Sequence, residues 1–234
     1  MKGKFLVLLL LLWGAVELSA QTIVQQFTAI SQGTHTSDMD LQQPTAKGSV
    51  LIAMPALLTP GLKVLSVTDN AEGGSNTYKK VPGASSSCAK KSVDIWYCEN
   101  CRPGVTELQF HIDGDSRGSI NAFLEVSDMA VSLVADGSGV QVSDGTATSA
   151  GLEVGPSITT TAKDFIVGRF FPINPLPNGV SPAAWMYTPS YVYMLDAPPG
   201  KYQPTLTGGK AAANFCIGVA AFKTASPVTA PQPK

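Results

Sequence analysis

"SVDIWYCENCRPGVTELQFHID", Ser92 to Asp113, alternates with a period of two at both of its ends. In the closing "ELQFHID", Leu108, Phe110 and Ile112 point one way while Gln109, His111 and Asp113 point the other, as in a strand with one dry and one wet face. In the opening "SVDIWYC", Val93, Ile95 and Tyr97 share an aliphatic and aromatic face, and Asp94, Trp96 and Cys98 a mixed one. Between them, Arg102-Pro103-Gly104 reads as a turn.

Working outward, runs of the same kind recur as "TIVQQFTAI", "SVLIAM", "LKVLSVTD", "NTYKKV", "SINAFLEVS", "MAVSLVA", "SITTT", "KDFIVGRFF", "SYVYMLD", "KYQPTLTG" and "NFCIGVAAFK". Turn pairs such as Asp69-Asn70, Pro82-Gly83, Asp136-Gly137, Asp144-Gly145 and Gly208-Gly209 punctuate them. This spacing predicts an all-β, antiparallel β-sandwich, jelly-roll-like, rather than an alternating strand-helix sheet. In the last run, Phe215, Ile217, Val219 and Ala221 face one way and Cys216, Gly218, Ala220 and Phe222 the other. Both faces are apolar, which places it in the sandwich centre with its small side chains against something bulky. The segment "FPINPLPNGVSPAAWMYTPS", Phe171 to Ser190, carries prolines that exclude it from central ladders. It reads as a long loop whose aromatics seal one end of the core.

Residues 1–20 place Lys2 and Lys4 ahead of an apolar run from Phe5 to Trp13 and close on Ser19-Ala20, the layout of a cleaved secretory leader. The run is about half the length a bilayer-crossing helix needs, so no integral membrane span is expected after processing. Residues 21–225 form a single sandwich domain, and the proline-rich 226–234 a disordered tail. The formal net charge of −1 provides no electrostatic footprint for nucleic acid. Charged residues make up only 14% of the chain, against about one quarter in an ordinary soluble domain. Small polar side chains must therefore carry the surface, as suits an extracellular sandwich.

The pieces "SVTDNAEGGSNTYKKV", "SVDIWYCEN", "GVTELQFHID", "AFLEVSDM", "DFIVGRFF" and "FCIGVAAFK" together resemble a set of uncharacterised bacterial secreted proteins with a jelly-roll-like domain and an SVTDxxGNTY-type pattern. The resemblance spans about residues 25–225, with "AEGGS" inserted before Asn76-Thr77-Tyr78. It implies fold and export, and it transfers no catalytic motif. The residues give a structural reason for the pattern: Val67 and Tyr78 can pack across a hairpin that Asp69 and Asn70 turn through their own backbone.

Four cysteines follow the leader, an even number in an exported chain, which favours two disulfides over a redox dithiol or zinc. The expected pairing is Cys88 with Cys101 and Cys98 with Cys216, the second tying a middle strand to the last one. "GDSRG", Gly114 to Gly118, matches the pattern of a hydrolase nucleophile elbow around Ser116, but the helix that the elbow needs is replaced by a strand. A hairpin turn accounts for it. Asp113 and Asp115, with the carbonyl of Arg117, offer a weak calcium site, and no other cofactor is implied. Asp113, Glu125 and Asp128 are the carboxylates a glycosidase could pair. Trp96, Trp185, Tyr187, Tyr191 and Tyr193 could form a platform for carbohydrate, although core packing is the more ordinary explanation of them. His35, in the polar "SQGTHTSDMD", is expected to face solvent.

The sequence thus points to a secreted or cell-surface, non-catalytic binding or structural protein. Two alternatives stand beside it: a polysaccharide-active hydrolase, and a filament or coat subunit that self-associates through edge strands.

Overall fold

A computed structural model describes residues 20–32, 35–88, 91–130, 135–143, 153–171, 178–207 and 215–225. The leader before Ala20, the tail from residue 226, and the turns at Asp144-Gly145 and Gly208-Gly209 lie outside them. The first ten strands are β1 (Thr22–Ser31), β2 (Thr36–Asp40), β3 (Val50–Leu57), β4 (Val64–Asp69), β5 (Lys79–Lys80), β6 (Ser86–Cys88), β7 (Lys91–Val93), β8 (Trp96–Cys98), β9 (Glu107–Ile112) and β10 (Ser119–Ser127). There follow β11 (Ala135–Ser143), β12 (Glu153–Val154), β13 (Ile158–Thr160), β14 (Asp164–Phe170), β15 (Gly179–Ser181), β16 (Met186–Tyr187), β17 (Tyr191–Ala197), β18 (Gly200–Tyr202), β19 (Thr205–Thr207) and β20 (Phe215–Lys223). The described residues contain no helix, and the paired strands are antiparallel, as the alternation predicts.

The sheets stack in layers, and the two sides of each strand show how. The central sheet runs β1-β10-β3-β7-β6, with β8 also beside β3 and β5 beside β8. On β3, Val50, Ile52 and Met54 enter one apolar core while Leu51, Ala53 and Leu57 enter another. The first core is closed by the sheet β11-β20-β14-β17-β16, through Phe165, Val167, Tyr193 and Phe222. The second is closed by β2-β9-β4, through Met39, Val67, Leu108, Phe110 and Ile112. A third core covers the far side of β14 and β20, where Ile166, Phe170, Ile217 and Val219 meet Ile158, Trp185 and Leu206 from the outer strands. Strands with both faces covered read as unbroken apolar runs, and those with one covered face alternate, which is why "SVLIAM" and "ELQFHID" look so different.

Several expectations hold. β9 buries Leu108, Phe110 and Ile112 and leaves Gln109 and His111 half exposed. β20 is an interior strand with both faces covered, though its Gly218 meets the backbone of Ala84 and not a bulky side chain: a Cβ there would stand 1.9 Å from the Ala84 carbonyl oxygen. Val67 and Tyr78 share a core, and Asp69 turns the chain by accepting from the backbone of Ala71 and Asn76 and from the Tyr78 hydroxyl.

Others need correction. "SVDIWYC" is two strands, β7 and β8, in one register against β3. The gap, at Asp94-Ile95, faces Pro55, whose missing N–H cannot extend that ladder. β3 itself runs past Met54, through Pro55 to Leu57. Asp136-Gly137 is not a turn but lies within β11 at a bulge, while residues 131–134 of "MAVSLVA" lie outside the described part. The segment expected as a loop carries β15 and β16, with residues 172–177 outside the described part. "GDSRG" joins strands of different sheets, since β9 pairs with β2 and β4 and β10 with β1 and β3. It is a crossover and not a hairpin.

The disulfide pairing also differs. Cys98 is bonded to Cys101, with Cα atoms 5.9 Å apart, so neither the Cys88–Cys101 nor the Cys98–Cys216 bridge forms. The chain reverses at once after β8, through Asn100 in the left-handed region at φ 51°, and brings the two Cα atoms within bridging reach. Cys216 is not a free thiol, and the side chain of Cys88 lies outside the described residues.

Candidate functional site

An open cleft of about 240 Å³ lies where the chain between β3 and β4 passes the β6–β7 edge of the central sheet. One wall is Gly61, Leu62 and Lys63 and the other is built on β5 to β7. Ser87 and Ser92 stand opposite each other in the β6–β7 register and both line the cleft, the Ser92 hydroxyl donating to the Leu62 carbonyl of the other wall at 3.4 Å. Lys80 is fixed by two contacts: its Nζ lies 2.9 Å from Oδ1 of the buried Asp94 and 5.6 Å from the centre of the Trp96 ring. Lys63 crosses from the opposite wall, and its ammonium has no ion-pair partner among the described residues. Ser85 is also in the lining, and its hydroxyl oxygen is buried without a hydrogen-bond partner among the described residues. Two ammonium groups against one carboxylate leave the cleft a formal charge of +1.

A second polar group sits at the end of the β11-β20-β14 sheet. Asp164 is fully buried, and neither carboxyl oxygen accepts a hydrogen bond from a described donor. Burial, and then the neighbouring Asp136 carboxyl, push its pKa up to about 7. Burial works against Asp136 as well, but the Thr161 N–H at 2.6 Å, the Thr161 hydroxyl at 2.8 Å, Asp164 and the Lys223 ammonium at 3.5 Å hold it at about 2. Two neighbouring carboxyls in such different surroundings titrate apart.

The carboxylates singled out in the sequence are not brought together. Glu125 is fully buried and accepts from the Ala46 N–H at 2.7 Å, Gln25 Nε2 at 2.8 Å and the Ser49 hydroxyl at 2.9 Å, pinning β1 and the residue 45–49 segment to β10. Asp113 accepts from the Lys63 N–H at 2.8 Å, and Asp128 accepts from the Ser127 hydroxyl. Asp115 meets His35 at 3.0 Å on the surface, where His35 is exposed as expected. Asp113 and Asp115 are thus engaged separately, and among the described residues no group of three or more His, Cys, Asp or Glu side chains converges. The Ser116 hydroxyl donates to the Gly118 carbonyl within its own turn, and His111 bonds Thr68 instead.

Nor do the five aromatics make a platform. Trp96 belongs to the core under β4 and β9, Tyr191 and Tyr193 to the core between the two large sheets, and Trp185 to the outer core. Tyr187 is half buried and stacks on Phe170 at 6.3 Å. Strand alternation sends neighbouring residues to opposite layers, so closeness in sequence gave no common surface. The cleft was missed for the opposite reason: Lys63, Lys80, Ser85 and Ser92 are spread over four segments, and no spacing rule connects them.

Comparison with family models, with curated proteins and with solved structures finds no match to this chain.

Proposed function

We propose that the protein is an exported, non-catalytic β-sandwich acting at the cell surface or outside the cell as a binding component, with the Lys63–Lys80 cleft as its ligand site. The observation that carries this reading is the lining of the cleft, where Lys63 and Lys80 meet Ser85, Ser87 and Ser92 beside a single carboxylate, Asp94. Hydroxyls both donate and accept and so suit a ligand rich in hydroxyls, while the uncompensated ammonium suits one negative charge. The volume of about 240 Å³ is below the roughly 300–1,000 Å³ of sites for drug-sized ligands. A single acidic sugar residue, a uronate, meets all three conditions. The carboxylates that a hydrolase would need are held in separate structural bonds, which favours binding over cleavage.

The test is a titration of the secreted chain with D-galacturonate, D-galactose and acetate, followed by amide chemical shifts. Galacturonate is expected to bind most tightly and to move resonances around Lys63, Ser85 and Ser87. Lys63→Ala should weaken it about tenfold. Equal affinity for galactose and galacturonate, or shifts confined to other faces, would reject the cleft.

A self-assembling coat or filament subunit is the second reading, favoured by β1. This strand is at the edge of the central sheet, and its ten residues, "TIVQQFTAIS", include no charge and no proline.

A further inference from the structure

Gln21 is buried although its neighbour Ala20 is exposed, and both of its polar ends meet one residue. Its backbone N–H donates to Asp196 Oδ1 at 3.4 Å, and its side-chain Oε1 accepts from the Asp196 N–H at 2.8 Å. The side-chain amide is therefore folded back beside the backbone nitrogen of its own residue. Asp196 can hold both ends because it stands at a bulge. The β14–β17 register slips between Asp164 and Ile166, and Asp196 adopts φ 52°, which turns its N–H out of the ladder. Gln21 Nε2, by contrast, is buried with no partner among the described residues, a costly state for a donor.

We propose that removal of the leader after Ala20 leaves Gln21 as an N-terminal pyroglutamate seated on Asp196. This rests on the reading that the chain is exported. In the cyclisation the freed α-amino nitrogen attacks Cδ of the Gln21 side chain. The N–Cδ bond forms, the Cδ–Nε2 bond breaks, and Nε2 leaves with the transferred proton as ammonia. Nothing is oxidised or reduced. The product fits the site atom for atom. A lactam presents its N–H and its carbonyl oxygen side by side, so the first still donates to the Asp196 carboxylate and the second still accepts from the Asp196 N–H. The orphaned Nε2 is gone. An uncyclised terminus fits less well: the Lys163 ammonium already lies 2.8 Å from Asp196 Oδ1, and an α-ammonium would set a second cation on the same carboxylate.

The experiment is intact-mass and N-terminal peptide analysis of the chain recovered outside producing cells, together with melting of cyclised and free-amine forms that both begin at Gln21. The expected terminus is residue 21 with a mass lower by about 17 Da, that of one ammonia, and a melting temperature higher by about 2–4 °C in the cyclised form. A chain that begins at Gln21 with a free amine, or a cyclised form that melts no higher, overturns the inference and leaves export standing. A chain that begins elsewhere also overturns the inference and leaves export standing, whereas a chain that stays inside the cell with its leader removes both.

Discussion

Asp164 shows at residue scale how a fold can make an ordinary side chain titrate near neutrality. Its folded value of about 7 lies above the ordinary 3.8, so the folded chain keeps a proton that the unfolded chain sheds. The stability this contributes is complete below 3.8 and is lost as pH rises through 7. Asp136 works in the other direction: with a folded value of about 2, its contribution is present above 3.8 and is lost as pH falls toward 2. Together they place the pair's best stability at about pH 4. Melting temperature measured from pH 4 to 8 should fall across that range, and Asp164→Asn should flatten the fall. A wild-type profile that rises through pH 7 would reject this account. Neither residue stood out in the sequence, since Asp136 sat in a presumed turn and Asp164 at the head of a strand. A carboxyl's neighbours come from other strands, and the linear chain does not record them.

At the scale of elements, legibility followed how a strand is covered. β9, with one wet face, was readable residue by residue, and β20, apolar on both faces, was placed in the centre by that property alone. The extent of β3 was missed because proline is normally excluded from central ladders, yet Pro55 is accommodated opposite the break between β7 and β8. The β1 edge carries a prediction. A long, uncharged edge invites pairing with a second copy, and Ile30, the most exposed of its large side chains at 76%, stands on it. Ile30→Lys should lower concentration-dependent association in sedimentation equilibrium while changing stability by no more than about 0.5 kcal/mol. Should wild type stay monomeric at all concentrations, the coat or filament reading falls.

For the whole molecule, Arg169 does what no sequence pattern announced. Fully buried, it donates from Nε to the Met54 carbonyl at 2.9 Å, from Nη1 to those of Phe170 and Ser190, and from Nη2 to that of Ile120, tying β14 to β3 and β10 across the first core. Burial lowers its pKa to about 9, so at neutral pH a cation is held by backbone carbonyl dipoles joining two sheets. Arg169→Met, which keeps the length and removes the donors, should cost on the order of 3 kcal/mol in denaturant unfolding, with Arg169→Lys recovering part of it. A loss of under about 0.5 kcal/mol would mean the sheets do not depend on it. The sequence by itself determined that this chain is built from antiparallel strands, and that β9 is covered on one face and β20 on two. That information is local: side chains alternate along an extended backbone, and burial leaves its mark at every second position. The tertiary structure alone decided which layer each face meets, which cysteines bond, that Asp136 and Asp164 come together, and that lysines and serines from four segments border one cleft. Those depend on distances between residues far apart in the chain, which are set only when the sheets stack.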